Sequence, residues 1–94
     1  LTLGDGKAVP KRSFNLKCVA SKTDIIELTY SLIASGAIQG DIKELIKAFE
    51  LIFKIDFGDF YRTFIAIRDR TNDPTKFLDT LKMALLRRMQ EVDN

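Results

Sequence analysis

Histidine and tryptophan are absent from this 94-residue sequence, cysteine occurs once and proline twice. With no histidine and a single thiol, the usual zinc-ligand sets and the histidine-based acid–base and nucleophile-activating pairs have nothing to be built from. Cys18 cannot close a disulfide within the chain, which suits a reducing, cytoplasmic compartment. Lying in an apolar stretch, it reads as a small core hydrophobe before it reads as a reactive thiol. Gly-rich phosphate loops, internal repeats and low-complexity tracts are missing too. No apolar run approaches the roughly 18 residues a membrane span needs, and no amino-terminal stretch has the charged-then-apolar form of a signal peptide. The expectation is a protein without membrane partner, cofactor or metal.

What is present is 46% hydrophobic residues, enough for one core at this length. Fifteen Lys and Arg stand against 13 Asp and Glu, a net +2, which fits neither a polyanion-binding tail nor an acidic disordered segment. The basic excess gathers early, where Lys7, Lys11, Arg12 and Lys17 face only Asp5. Leu1 stands where a methionine would begin a complete chain, so a piece of a longer protein is expected. Residues 1–13, with Gly4, Gly6 and Pro10, lack an apolar period and read as a linker or entry arm, leaving residues 14–94 as one helical domain. Phe14, Leu16 and Cys18 alternate with Asn15, Lys17 and Val19, a period-2 signal for a short amino-terminal strand.

The remainder predicts four helices. Ser21 and Asp24 form a capping-box pattern that opens the first, which runs to about Ser35 and stops at Gly36. Its apolar residues, Ile25, Ile26, Leu28, Tyr30, Leu32 and Ile33, cover most of its circumference and predict a central position. Asp41 and Glu44 open a second helix to about Lys54. After a break of three residues, Asp56 is expected to cap a third helix over 57–70. Asp73 and Pro74 restart the chain into a last helix, about 74–92, whose buried side would carry Phe77, Leu78, Leu81, Ala84, Leu85, Met89 and Val92.

A second and third helix joined by a very short turn form the frame of a helix-turn-helix reader, in which the later helix lies in the major groove. On the helical wheel, Asp59, Arg62, Thr63, Ala66 and Arg70 share the outward stripe of helix 57–70. Arg62, Thr63, Ala66 and Arg70 are the candidates for base contact: arginine can donate two bonds to guanine, threonine can meet a methyl or an acceptor, and alanine permits close approach. Lys43, Lys47, Arg68 and Lys76 are the candidates for phosphate contact. The same pattern also describes a helical bundle whose arginine-bearing face is merely solvated. Carboxylate pairs such as Asp56 with Asp59, or Asp69 with Asp73, have ordinary roles as caps and surface charges, so no enzyme is expected.

Several blocks carry a resemblance: Ser21-Lys22-Thr23-Asp24-Ile25-Ile26-Glu27-Leu28, Ser35-Gly36-Ala37-Ile38, Asp41-Ile42-Lys43-Glu44, Gly58-Asp59-Phe60-Tyr61-Arg62-Thr63-Phe64 and Thr75-Lys76-Phe77-Leu78-Asp79-Thr80-Leu81. In this order they resemble the carboxy-terminal region of the RteC family of Bacteroides, regulators associated with excision of conjugative transposons, over about residues 14–94. The resemblance implies a helix-turn-helix or winged-helix-like domain that binds double-stranded DNA upstream of excision genes and activates their transcription. With the four helices read above, the expected fold is a mainly α, four-helix helix-turn-helix domain, and the regulator reading adds the transcription machinery as a further expected partner. The alternative is a protein-interaction or dimerisation module in which the amino-terminal strand or the last helix mates with a second copy.

Overall fold

The computed structural model describes residues 15–93, so the expected linker over 1–13 and the start of the expected strand at Phe14 lie outside the described residues. Four helices follow in order: α1 (Lys22–Ala34), α2 (Ile42–Phe53), α3 (Phe60–Arg68) and α4 (Lys76–Asp93). The fold is mainly helical, as the periodicity predicts.

Local chemistry explains the first two helices. Ser21 holds extended backbone and its hydroxyl accepts the Asp24 N–H at 3.0 Å, satisfying one of the amides that a helix start leaves unpaired. Gly36, at φ +79°, turns the chain away, while its N–H and that of Ile38 bond to the carbonyls of Ile33 and Leu32. Asp41 caps α2 through the Lys43 N–H at 3.3 Å. That helix ends at Lys54, which adopts the left-handed conformation at φ 57°, ψ 49°. A Cβ is strained there and glycine is not, so Lys54→Gly is expected to stabilise the chain by about 0.5–1 kcal/mol and raise Tm by several degrees. A lower Tm on thermal unfolding would mean that the lysine stem contributes more than its backbone costs.

The helix starts expected at Phe57 and at 74 both move. Asp56 does not cap α3; its Oδ1 accepts the Gly58 N–H at 2.9 Å in a local turn, and Glu50 Oε2 takes the Phe57 N–H at 2.9 Å. Phe57 is thereby drawn into the core at 5% exposure, Gly58 reverses the chain at φ +64°, and Asp59 becomes the cap by accepting the Arg62 N–H at 3.1 Å. The link therefore spans residues 54–59 and is not the very short turn expected. Asp73, at φ 52°, lacks the extended backbone of a capping residue. The third amide of α4, Leu78 N–H, is instead accepted at 2.9 Å by the carboxylate of Glu27, fifty-one residues earlier.

The expected amino-terminal strand is corrected as well. Residues 15–20 contain no strand, and no strand occurs elsewhere among the described residues, so the pairing partner a strand requires is missing there. The two strands of a wing are absent among them too. Cys18 is half-buried and packs with Ala20 against the core, in keeping with a small hydrophobe, whereas Val19 is 87% exposed.

Helix α1 is the hub. Each of α2, α3 and α4 packs on it, and their backbones do not approach one another. Among the described residues, Ile25, Ile26, Ile46, Phe57 and Ile67 are the buried hydrophobics, with Tyr30, Phe49, Phe60 and Phe64 half-buried around them. The expected buried side of α4 does not form among the described residues: Phe77 and Leu78 are half-buried, but Leu81, Leu85, Met89 and Val92 are exposed.

Candidate nucleic-acid interface

One face of α3 is spent on packing. Phe60, Phe64 and Ile67 recur at spacings of four and three and meet the core, and Phe64 stacks on Tyr30 of α1 with ring centroids 4.0 Å apart and planes within 13°. Phe60 lies tilted against the same ring at 6.5 Å. The Tyr30 hydroxyl titrates above its usual value, first because it is buried and then because Tyr61 and the Asp59 carboxylate stand nearby. It therefore stays protonated at neutral pH, and the α1–α3 seam carries no charge from it.

The other face is open. Arg62 has 87% of its side chain in solvent, Ala66 is exposed and Thr63 is half-buried. Asp59 Oδ2 lies 3.8 Å from the Arg62 Nε, but both side chains are mostly exposed, so this pair is worth well under about 1 kcal/mol and leaves the guanidinium free to turn elsewhere. Thr63 is partly occupied: its hydroxyl donates to the Asp59 carbonyl at 3.4 Å.

Arg70 is placed differently from the other three base-contact candidates. It lies past the end of α3, only 28% of its side chain is exposed, and Nη1 sits 3.5 Å from Glu27 Oε1 and 3.4 Å from the Asp73 carbonyl, to which it donates. Its guanidinium ties the α3–α4 connection to α1. The phosphate-contact candidates are all exposed. Arg68 pairs with Asp69 at 3.1 Å, Lys76 stands at the start of α4, and Lys43 and Lys47 lie on the solvent side of α2, which shares with α3 only the support of α1. Asp59 and Asp69 thus bracket the arginines of α3, and the surface there has no large excess of either charge.

Glu27 is the residue that sequence reasoning left without a role. Its side chain is 4% exposed, it caps α4 through Leu78, and it borders an apolar groove of about 250 Å3 between α1, α3 and the start of α4, lined also by Tyr30, Phe64, Ile67 and Pro74. The available signal was a carboxylate inside a helix that is apolar almost all round, since such a group is buried only when something pairs with it.

No helix among the described residues is long and apolar enough to cross a membrane. No curated protein and no solved structure matches the chain. A family model described as RteC protein matches residues 4–93, a span that contains all four helices and every side chain of the candidate interface. Since that match covers nearly the whole sequence, the chain belongs to the RteC family.

Proposed function

We propose that this chain is the DNA-binding part of a transcriptional regulator of transposon excision genes, and that it reads duplex DNA with the outward face of α3. Membership of the RteC family fits a regulator connected with transposon excision. The observation that carries the DNA reading is the ridge of α3, over which no other helix packs among the described residues: Arg62 points into solvent from a helix whose opposite face is anchored by aromatic packing. Nine helical residues at about 1.5 Å each give a rod roughly as long as the major groove is wide. In this reading Arg62, Thr63 and Ala66 meet base edges, Lys43, Lys47, Arg68 and Lys76 meet phosphates, and Arg70 holds the α3–α4 connection in place. No catalytic step is assigned.

Selection of bound sequences from random duplexes, followed by titration at two salt concentrations, tests it. Arg62→Ala is expected to weaken binding to the selected sequence by about 1–3 kcal/mol with little effect on random DNA, whereas Lys43→Ala weakens both alike and flattens the salt dependence by about one unit of slope. Equal affinity of the Arg62→Ala variant and the parent for the selected sequence would remove α3 as the reader. A second reading, a protein-interaction module without DNA readout, is favoured by the apolar stripe of α4.

A further inference from the structure

Leu81, Leu85, Met89 and Val92 are spaced four, four and three residues apart, so they line one stripe along α4. They are 38%, 56%, 51% and 71% exposed, and every residue from Asp79 to Val92 is exposed. Among the described residues, only the first turn of α4, with Phe77 and Leu78 half-buried, leans on the rest of the fold. A helix of this length standing alone is marginal in water, and most helical stability comes from packing an apolar face. The stripe therefore has a physical reason to be covered.

We propose that a second copy of this chain covers it, α4 against α4 about a two-fold axis. Four side chains of this size at these exposures leave roughly 400 Å2 of apolar surface per copy; at the apolar fraction usual for homodimer contacts that corresponds to about 650 Å2 per copy, or roughly 1,300 Å2 in all, within the range of stable interfaces. A two-fold contact requires a patch that is complementary to itself. Leucine, methionine and valine meet that condition because they carry no charge to oppose its own image, and Ala84 at the stripe edge allows the backbones to approach. The charged residues that border the stripe are Lys82 on one side and Arg88 on the other, Arg88 already within 4.0 Å of Glu91 on its own helix, while Arg87 lies on the far face of α4 with Lys76, Thr80 and Met83. This contact does not depend on the DNA reading and stands or falls separately from it.

Sedimentation velocity of the chain from about 1 to about 300 micromolar tests the proposal. The expected mass rises from one chain to two across that range, and Leu85→Glu with Met89→Glu weakens association at least tenfold while leaving the far-UV circular dichroism of the monomer unchanged, because neither side chain belongs to the core. Val92→Glu, near the end of the helix, repeats the test if the double variant loses helix. Leu51→Glu, at an 80% exposed apolar position on α2, is expected to dimerise like the parent. A single-chain mass at the highest concentration overturns the proposal, and so does a stripe variant that still dimerises, or loss of the dimer in Leu51→Glu. A chain that stays monomeric yet binds lipid vesicles or another protein through α4 would assign the stripe to that occupant instead.

Discussion

Replacing Glu27 with alanine is expected to destabilise the chain by about 3 kcal/mol and to loosen the start of α4. The Glu27 carboxylate is nearly sealed from water, and its Oε2 is the acceptor for the Leu78 N–H at 2.9 Å, a cap supplied from another helix. Losing a cap of this kind costs about 1–2 kcal/mol. The truncation also leaves a void beside the apolar groove and releases Arg70, which is exposed enough to find water and so adds little. Glu27→Gln keeps an acceptor for Leu78 and loses only the charge, so its cost should be about half that of alanine. Urea unfolding gives the free energies, and hydrogen exchange at the Leu78 amide locates the effect. An alanine variant within about 0.5 kcal/mol of the parent, with Leu78 still protected, would show that this clamp holds nothing.

The same geometry governs how Arg70 variants should be read. Arg70→Ala leaves the Glu27 carboxylate buried without its countercharge, and Oε1 makes no hydrogen bond of its own. A buried charge deprived of its partner is costly, so an Arg70 variant would weaken DNA binding by destabilising the fold even if the guanidinium never met a base. Arg62, exposed and weakly paired, is the clean probe of α3.

The second large effect is expected at Ile26, which has no exposed surface and sits on the helix that carries the other three. Ile26→Ala should cost about 3–4 kcal/mol, made up of lost transfer free energy and the cavity left where neighbours cannot close in, whereas Ile26→Val should cost about 1 kcal/mol. Only five hydrophobic side chains are buried among the described residues, so little redundancy exists to absorb the loss. For a chain of this size, whose whole stability is expected to be on the order of 5–10 kcal/mol, the alanine variant would lose a large share of it. Denaturant unfolding followed at 222 nm measures both. A cost below about 1 kcal/mol for alanine would mean that the core repacks around the gap and that α1 is not a rigid hub.

The sequence by itself determined what depends on near neighbours. Ser21 and Asp41 cap helices because each oxygen reaches an amide two or three residues away, Gly36 stops α1 because it alone tolerates φ +79° without strain, and the apolar girth of α1 marks it as central because a helix without a polar face must be surrounded. The inward face of α3 was legible for the same reason, and with it the outward position of Arg62. Tertiary structure decided the rest. Asp56 and Asp59 are equally good caps locally, and the choice fell to Asp59 only because burial of Phe57 and its bond to Glu50 pulled the preceding residues out of the helix. Asp73 lost its place to Glu27, and Arg70 left the outward stripe for the same carboxylate, through contacts between residues more than forty positions apart in the chain. Periodicity gave α4 an apolar side but could not say what lies against it, because a repeating pattern records only that a face avoids water and carries no information about which surface shields it.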